Sequence, residues 1–342
     1  MKAIRFHEPG GFEKLKYEDV LEPLYKPHQV LVKVKAAALN HLDLWILKGL
    51  KSYGTEYPHI PGCDAAGEIA EVGGDVKHLK KGQRVVINPL MACGSCEYCL
   101  TGNDNICDNR KLFGASIDGG FAEYCRVDAR NIIPIADTVP FDEAAAFPVT
   151  FATAWHMLMM RAKLQPGQTV LVLGAGSGVG VAAMQIAHLA GAFVIATVGS
   201  ADKIVQAKSL SADAVINHST EDIYERVMEI TDQKGVDVVF EHIGPATWEK
   251  SVKSLKKNGT LVTCGATTGG EVSFDLRYVY SRQLSILGSI GGTAAETMKV
   301  NDLIGRGLLK PILDSVYPLK DAAIAFQKME SRQNFGKIIL VP

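Results

Sequence analysis

The chain has 342 residues and a formal net charge of −1 at pH 7. Because this length exceeds that of a typical single domain, we expect two domains with a substantial core. A nearly balanced charge offers no global attraction to nucleic acid or to an anionic membrane surface, so neither is expected as a partner. The composition favours chemistry on a small-molecule substrate.

The amino terminus differs from an export signal. Lys2 and Arg5 interrupt the first seven residues before an apolar segment can form. No run in the sequence approaches the roughly 20 apolar residues of a membrane span. The isolated Cys63, Cys125 and Cys264 are typical of buried thiols in a reducing compartment. We therefore expect a cytoplasmic protein.

Short β-rich runs and Gly/Pro turns alternate up to about residue 128. The runs at 29–34 and 84–87 predict strands, which Pro27 and Gly82 precede. This pattern favours a compact, mostly β domain.

Four cysteines lie within one loop of this first part. Cys93, Cys96, Cys99 and Cys107 have the spacing C-x2-C-x2-C-x7-C. Thiolates at such intervals wrap a single Zn2+ with bonds of about 2.3 Å, and a four-sulfur shell leaves no open position for chemistry. Two disulfides are the alternative, which short separations and a reducing compartment disfavour. The spacing predicts one structural zinc, with catalysis elsewhere.

From Pro166 strands alternate with helices. Because parallel neighbours need crossover connections, the alternation predicts a parallel sheet flanked by helices. The expected strands lie at 169–173, 193–198, 214–216, 236–240, 260–263 and 284–287. The expected helices include 179–189 and 201–210. After Gly288 a helix at 296–305 and a strand at 337–341 remain, and this tail is free to rejoin the first domain.

A glycine-rich turn joins the first of these strands to the first helix. The segment 174–180 reads Gly-Ala-Gly-Ser-Gly-Val-Gly and predicts a Rossmann dinucleotide site. Glycines permit close approach to a pyrophosphate, whose charge lies on the N-terminal amides of the helix. In strict register Ala175 and Ser177 occupy two glycine positions, so a structural turn without a ligand is the alternative. We expect Ser177, Gly178 and Val179 to contact the cofactor.

The residues after the second strand bear on the identity of the cofactor. An NAD site usually places Asp or Glu about 20 residues beyond the glycine turn, where it binds the ribose hydroxyls. Here the strand runs into Gly199 and Ser200, followed by Asp202 and Lys203. A hydroxyl, a helix N-terminus and a cation suit a 2′-phosphate, and His218 is a further donor. We therefore expect NADPH rather than NADH, with a solvated helix charge as the alternative for Lys203.

The sequence resembles the medium-chain dehydrogenase/reductase superfamily over its whole length. Besides the cysteine lobe and the glycine turn, three stretches carry the resemblance: Ala-Leu-Asn-His-Leu-Asp at 38–43, Pro-Gly-Cys-Asp-Ala-Ala-Gly at 61–67 and Gly-Gly-Phe-Ala-Glu-Tyr at 119–124. The resemblance implies an α/β fold, in which a GroES-like β-rich domain is joined to a Rossmann doubly wound parallel sheet.

The resemblance also implies domain bounds and an assembly. The GroES-like catalytic domain would span 1–150 and 290–342, with the zinc lobe at about 89–110, and the Rossmann domain would span 151–289. The last Rossmann strand is expected to pair across a homodimer, and a homotetramer is the alternative.

The positions that hold a catalytic zinc in alcohol dehydrogenases of this superfamily are altered. Those relatives use Cys, then His with an adjacent Glu, then a later Cys or acid. This chain has Asn40, then Cys63 with Asp64, then Thr150. Because Asn and neutral Thr are poor Zn2+ ligands, we expect the second metal to be absent.

Loss of that metal changes the expected reaction. Alcohol oxidation needs a Lewis acid to hold a developing alkoxide, whereas reduction of a conjugated C=C forms an enolate that hydrogen bonds stabilise. We therefore expect an NADPH-dependent oxidoreductase that transfers hydride to an activated C=C or a quinone. This chain is similar to the superfamily's quinone, enone and enoyl-thioester reductases.

Four residues are candidates for the active site. Asn40 binds a substrate carbonyl or the nicotinamide ribose, unless it only stabilises a turn. His41 lies where relatives contact cofactor phosphate or relay protons, with a surface histidine as the alternative. Tyr53 protonates an enolate carbon or packs on the substrate as a lid. Asp64 orients Asn40 or relays protons, with a structural ion pair to Arg84 as the alternative.

Two other functions stay open at the level of sequence. One is a zinc-type alcohol or aldehyde dehydrogenase with an atypical metal site at Cys63, which would bind two zinc ions per chain. The other is an NADPH-binding protein without turnover, which would not oxidise NADPH with any quinone, enone or enoyl thioester.

Overall fold

A computed structural model describes all residues from 1 to 342. The strands, numbered β1 to β17, are Lys2–Arg5, Lys16–Asp19, Gln29–Ala38, Asp64–Val72, Arg84–Ile87, Leu90–Met91, Lys111–Leu112, Tyr124–Asp128, Ile132–Pro134, Thr169–Val172, Phe193–Val198, Ala214–Asn217, Val236–Glu241, Leu255–Thr263, Ser285–Gly288, Leu313–Pro318 and Lys337–Val341. The helices α1 to α11 are His41–Leu47, Glu97–Leu100, Phe141–Ala145, Pro148–Trp155, Gly178–Leu189, Ala201–Ser209, Ile223–Ile230, Trp248–Lys253, Leu276–Ser281, Ala294–Gly305 and Ala322–Glu330. None of the helices combines the length and the apolar character that crossing a bilayer requires.

The chain divides into two compact units. One comprises Met1–Thr150 and Thr293–Pro342, and the other comprises Phe151–Gly292.

The first unit is built around a seven-stranded, mainly antiparallel sheet. Its strand order is β16-β17-β3-β4-β5-β9, and β8 also pairs with β3. In the long strand β3, Val30, Val32 and Val34 are buried in the core of the unit. Strand β17, at the end of the chain, pairs antiparallel with β3 through Ile339 and Ala38. The carboxyl-terminal tail therefore contributes to the sheet of the β-rich unit.

The second unit is a doubly wound sheet of six parallel strands. The order is β12-β11-β10-β13-β14-β15. Strands buried on both faces are apolar throughout, as in β10, where Val170, Leu171 and Val172 are fully buried. The chain order reverses between β10 and β13, where sheets of this kind bind dinucleotides. The expected α/β class, with a β-rich domain and a doubly wound parallel sheet, is confirmed.

Two expected strand boundaries were wrong. The strand expected at 260–263 begins at Leu255. Its first half was not recognised because residues 256–258 are polar, and its register against β13 shifts in this part. The strand expected at 29–34 continues to Ala38, since alanines give no strand signal although these are buried against the sheet. The other expected boundaries lie within two residues of the observed ones.

Candidate functional site

The four lobe cysteines converge on one point. The sulfurs of Cys93, Cys96, Cys99 and Cys107 all lie within 4.8 Å of one another. Cys99 Sγ is 3.5 Å from Cys96 Sγ and 3.9 Å from Cys93 Sγ. A tetrahedron with metal–sulfur bonds of about 2.3 Å has edges of about 3.8 Å, so the donor set fits one zinc ion.

Backbone amides surround these sulfurs. The amide of Ser95 lies 3.5 Å from Cys93 Sγ, and the amide of Cys96 lies 3.4 Å from the same atom. These donors, the Ser95 amide first, hold the pKa of Cys93 at about 5. Because the thiolate is the form that binds metal, these amides favour metal binding at Cys93.

A second polar cluster is buried in the first unit, between the end of β3 and the start of β4. Asn40 follows β3 and precedes α1, and its Nδ2 donates a 2.8 Å hydrogen bond to Oδ2 of Asp64, the first residue of β4. Asp64 is fully buried, and its Oδ1 accepts a 3.0 Å hydrogen bond from the amide of Val149. The two sequence candidates Asn40 and Asp64 are therefore in direct contact.

Lys337 completes this cluster and was missed by sequence reasoning. It is the first residue of β17, is only 4% exposed, and its Nζ lies 2.7 Å from Asn40 Oδ1 and 3.1 Å from Asp64 Oδ2. The one signal in the sequence was a lysine that opens an otherwise apolar terminal strand. The alternative pairing of Asp64 with Arg84 is wrong, because Arg84 donates to the carbonyls of Asp137 and Val139.

Asp43 and Cys63 lie beside these groups. Asp43 is fully buried, its Oδ2 accepts a 2.7 Å hydrogen bond from the Asn40 amide, and its Oδ1 accepts one of 3.3 Å from Gly62. Burial raises the pKa of Asp43 to about 7. Cys63 Sγ is 3.9 Å from Asp43 Oδ1, and burial raises the pKa of this thiol well above its ordinary value. Cys63 is therefore a neutral thiol in this environment.

The other candidates of the first unit contribute differently. Tyr53 ends a short 3-10 turn and packs against the hydrophobic core of the first unit. Burial, and after it the nearby Cys63, raises the pKa of its phenol. His41 opens α1, with its ring edge-on to Trp45 at 5.1 Å between centroids. Thr150 is buried, and its hydroxyl donates to the carbonyl of Ala146 within its own segment. The group from this segment that reaches Asp64 is the Val149 amide, rather than the Thr150 side chain.

The glycine turn of the second unit has the shape of a phosphate cradle. Gly174 has a φ of +57°, and a Cβ added at Gly180 would lie 2.5 Å from the carbonyl oxygen of Gly174. Ser177 caps the twelve-residue helix α5 by accepting a 3.0 Å hydrogen bond from Gly180. Gly178 and Val179, the first residues of that helix, present the N-terminal amides that suit a pyrophosphate. The residues present therefore fit a bound dinucleotide.

His242 is a further residue of this site that sequence reasoning missed. It directly follows β13, and its Nε2 lies 2.9 Å from the carbonyl oxygen of Leu173 and 3.4 Å from Ser177 Oγ. Burial lowers the pKa of His242, so the neutral imidazole donates to the Leu173 carbonyl. A histidine after an apolar strand resembles an ordinary strand end, and only the pairing of β10 with β13 brings it to the glycine turn.

Ser200 and His218 follow the neighbouring strands β11 and β12, and Lys203 lies in the first turn of α6. Ser200 precedes α6, and its side chain caps no amide of that helix. The imidazole of His218 lies against Gly199, because a Cβ added there would be 3.2 Å from His218 Nε2. Ser219 Oγ donates a 2.8 Å hydrogen bond to the Gly199 carbonyl. These three candidates belong to the second unit, whereas His41 lies in the first.

Comparison with known proteins identifies the family. Residues 26–137 match the model for the alcohol dehydrogenase GroES-like domain, and residues 178–306 match that for zinc-binding dehydrogenases. An alcohol dehydrogenase from Geobacillus stearothermophilus is 33% identical over 95% of this chain and 96% of its own length. The chain belongs to the medium-chain dehydrogenase/reductase superfamily. It is therefore an NAD(P)-dependent oxidoreductase with a GroES-like and a Rossmann domain.

Other members of the superfamily cover this chain as completely. A quinone oxidoreductase from Rattus norvegicus is 31% identical over 100% of this chain and 98% of its own length. A solved structure described as an NAD-dependent alcohol dehydrogenase is 41% identical, covers 100% of both chains and superposes with a TM-score of 0.97. Because medium-chain relatives of both activities match, membership alone leaves the reaction undecided.

Proposed function

We propose that this chain is an NADPH-dependent reductase that delivers hydride to an activated C=C or a quinone. The observation that carries the proposal is the contact between Asn40 and Asp64, in which Asn40 Nδ2 donates to Asp64 Oδ2 at 2.8 Å. This contact makes Asn40 a hydrogen-bond donor at the position where zinc-dependent relatives carry a metal ligand.

The donor set around Asn40 supports reduction without a second metal. Both oxygens of Asp64 accept hydrogen bonds, and Thr150 donates into its own segment. The four lobe cysteines are the one group of three or more His, Cys, Asp and Glu residues in the chain whose ligand atoms gather closely enough for an ion. Amide and hydroxyl groups are weak zinc ligands, and a single thiol beside them does not make a closed site. We therefore propose one structural zinc per chain, at the lobe.

Bound NADPH would supply the hydride. The N-terminal amides of α5, at Gly178 and Val179, would hold the pyrophosphate, and Ser177 orders that turn. Ser200, Lys203 and His218 would bind the 2′-phosphate, because a cation and hydrogen-bond donors near two adjacent strand ends suit a dianion better than they suit ribose hydroxyls.

Residues of the first unit would stabilise the negative charge that develops on the substrate and would supply the proton. A conjugated acceptor that gains hydride develops negative charge on its oxygen, and the remaining N–H of Asn40 would donate to that oxygen. The phenol of Tyr53 carries its proton at neutral pH, and burial raises its pKa further above the ordinary value. Tyr53 would then give its proton to the enolate carbon, which completes the addition of one hydride and one proton.

Alcohol or aldehyde dehydrogenation is the second candidate, and the names of the relatives favour it. That reaction would need an ion beside Cys63 to hold an alkoxide. The two candidates differ in metal content, since the reductase is expected to contain one zinc per chain and the dehydrogenase two.

We also propose a homodimer and a cytoplasmic location. Strand β15 pairs only with β14 and leaves one edge of the parallel sheet open, with Ile286 40% exposed on it. An unprotected edge of this kind is a template for pairing with a second copy. None of the seven cysteines forms a disulfide, which suits a reducing compartment.

The test is an NADPH-oxidation screen run beside metal analysis. The acceptors are 1,4-benzoquinone, trans-2-hexenal, a crotonyl thioester and propanal, with ethanol and NADP+ as the reverse assay. We expect turnover of the quinone or the conjugated acceptors, one zinc per chain and no ethanol oxidation. Two zinc ions per chain with alcohol oxidation would establish the second candidate, and tight NADPH binding with no turnover would indicate a non-catalytic protein.

A variant pair sharpens this screen. Asn40→Ala is expected to lower kcat with the best acceptor by about tenfold to a hundredfold, because one hydrogen bond to the developing charge is lost. Asn301→Ala, which removes an exposed amide bonded to the Pro134 carbonyl, is the matched control and is expected to match the parent enzyme.

A further inference from the structure

We propose that Lys337 is a positioning residue of this active site, whose ammonium locks the carboxamide of Asn40 in one orientation. The locked amide then has a single N–H left for the substrate oxygen. This inference rests on the proposed function, in which Asn40 binds that oxygen.

The argument begins with which atoms donate. An ammonium donates and cannot accept, so the Asn40 atom 2.7 Å from Lys337 Nζ is the amide oxygen. A carboxylate accepts and cannot donate, so the Asn40 atom 2.8 Å from Asp64 Oδ2 is the amide nitrogen. The opposite amide orientation would set nitrogen against an ammonium and oxygen against a carboxylate. Lys337 and Asp64 together therefore allow only one orientation.

Burial makes this preference strong. The side chains of Lys337 and Asp64 are 5% and 0% exposed, so water cannot replace either partner of Asn40. Hydrogen bonds to charged groups contribute more than neutral ones, and a buried polar group left unpaired is costly. Without Lys337, Asp64 would remain as a buried carboxylate that has lost its cation, and Asn40 would be free to rotate.

The sheet holds the two residues in place. The amide of Leu39 donates a 2.9 Å hydrogen bond to the carbonyl of Ile338, and Ala38 pairs with Ile339. Asn40 and Lys337 thus extend from backbone segments joined by a ladder, although 297 positions separate them in sequence. A side chain on a rigid strand positions its partner more accurately than one on a loop.

Counting donors shows what the arrangement leaves available. The Asn40 amide nitrogen carries two hydrogens, and one is used by Asp64. The second N–H is the donor that the proposed function assigns to the substrate oxygen. Lys337 itself need not touch the substrate, so its effect is expected on the chemical step rather than on cofactor binding.

The test compares Lys337→Met, Lys337→Gln and Lys337→Arg with Lys35→Met. Lys35 also pairs an acid across β3 and β4, with its Nζ 3.2 Å from Glu68, but that pair is on the surface. With trans-2-hexenal or 1,4-benzoquinone as acceptor, we expect Lys337→Met to lower kcat about tenfold to a hundredfold. The Kd for NADPH, measured by fluorescence titration, is expected to change less than about twofold for every variant. Lys337→Arg is expected to recover part of kcat, since guanidinium also only donates.

A second readout is independent of turnover. The side-chain amide signals of Asn40, assigned by their disappearance in Asn40→Asp, are expected to be a single sharp pair in the parent and to shift or broaden in Lys337→Met. If Lys337→Met does not fold, Lys337→Gln carries the same test, because a neutral amide no longer dictates which Asn40 atom faces it.

The outcomes separate this inference from the function on which it rests. Unchanged kcat with a tenfold weaker Kd for NADPH would make Lys337 a cofactor ligand and overturn the inference. Unchanged Asn40 signals in Lys337→Met would also overturn it. Failure of the parent enzyme with every conjugated acceptor would refute the proposed function instead, while the Asn40 signals would still decide whether Lys337 orients the amide.

Discussion

Asp104, inside the four-cysteine lobe, accepts the backbone amide of Ala294 on both of its carboxylate oxygens, each at 3.2 Å. Ala294 is the first residue of α10, so this carboxylate supplements the cap that Thr293 provides. A negative charge at a helix N-terminus is stabilising. The lobe therefore holds the helix with which the carboxyl-terminal part of the first unit begins.

Asp104→Ala is expected to lower the free energy of unfolding by about 1 kcal/mol, the usual cost of removing a cap acceptor. Chemical denaturation at pH 7 measures the change, and limited proteolysis near Thr293 reports local loosening. Asp104→Asn keeps one acceptor and is the control, with a smaller loss. Equal stability of the alanine variant and the parent would show that the contact contributes nothing.

Cys99→Ser is expected to reduce bound zinc from one per chain to near zero, because a hydroxyl is a much poorer zinc ligand than a thiolate. Cys125→Ser removes a buried thiol outside the lobe and is expected to retain the full zinc content. Elemental analysis of purified protein measures both. Retention of zinc by Cys99→Ser would place the metal elsewhere in the chain.

Loss of Lys203 is expected to change cofactor preference. Lys203→Ala should raise KM for NADPH about tenfold, because a charge-assisted contact to the 2′-phosphate is lost, and should leave KM for NADH nearly constant. Lys208→Ala, in the last turn of the same helix α6, is the matched control and is expected to leave both constants unchanged. Equal effects on the two cofactors would argue against a 2′-phosphate site at Ser200, Lys203 and His218.

The stability of the enzyme is expected to depend on pH through Asp43. Its pKa is about 7 in the folded state, because the side chain is buried, against about 4 in an unfolded chain. A carboxyl with a raised folded pKa makes its full contribution below about pH 4, and this contribution is lost as the pH rises to about 7.

Asp43→Asn cannot ionise and is expected to show a smaller fall in unfolding free energy between pH 5 and pH 8 than the parent. Its stability is expected to be lower at every pH because one acceptor is lost, so the slope is the diagnostic quantity. Denaturant titrations at several pH values measure it. Parallel pH profiles for the two proteins would contradict a raised pKa for Asp43.

The open edge of β15 predicts how the dimer can be broken. The amide of Ser289 donates to Thr263 in β14, so by alternation the amide of Ile286 faces away from β14. Ile286→Pro removes that outward donor and is expected to shift the protein towards a monomer in analytical ultracentrifugation. Ile286→Thr keeps the amide and is expected to remain dimeric. If Ile286→Pro keeps the mass of the dimer in solution, the dimer interface lies elsewhere.

Local patterns were enough to predict much of this protein. The spacing of Cys93, Cys96, Cys99 and Cys107 lies within one loop, and the glycine turn at 174–180 joins one strand to the next helix. Both features depend on residues a few positions apart, whose relative placement the backbone restricts directly. Strand and helix periodicity was likewise enough for the α/β class and the order of elements.

Long-range packing decided the chemistry of the candidate active site. Asn40 and Asp64 were recognisable as candidates, but their partner Lys337 enters through the pairing of β17 with β3. His242 reaches the glycine turn only because β13 lies next to β10. Local sequence preferences do not determine which distant strands become neighbours. The sequence alone also does not distinguish a buried lysine from a surface lysine whose partner is unknown.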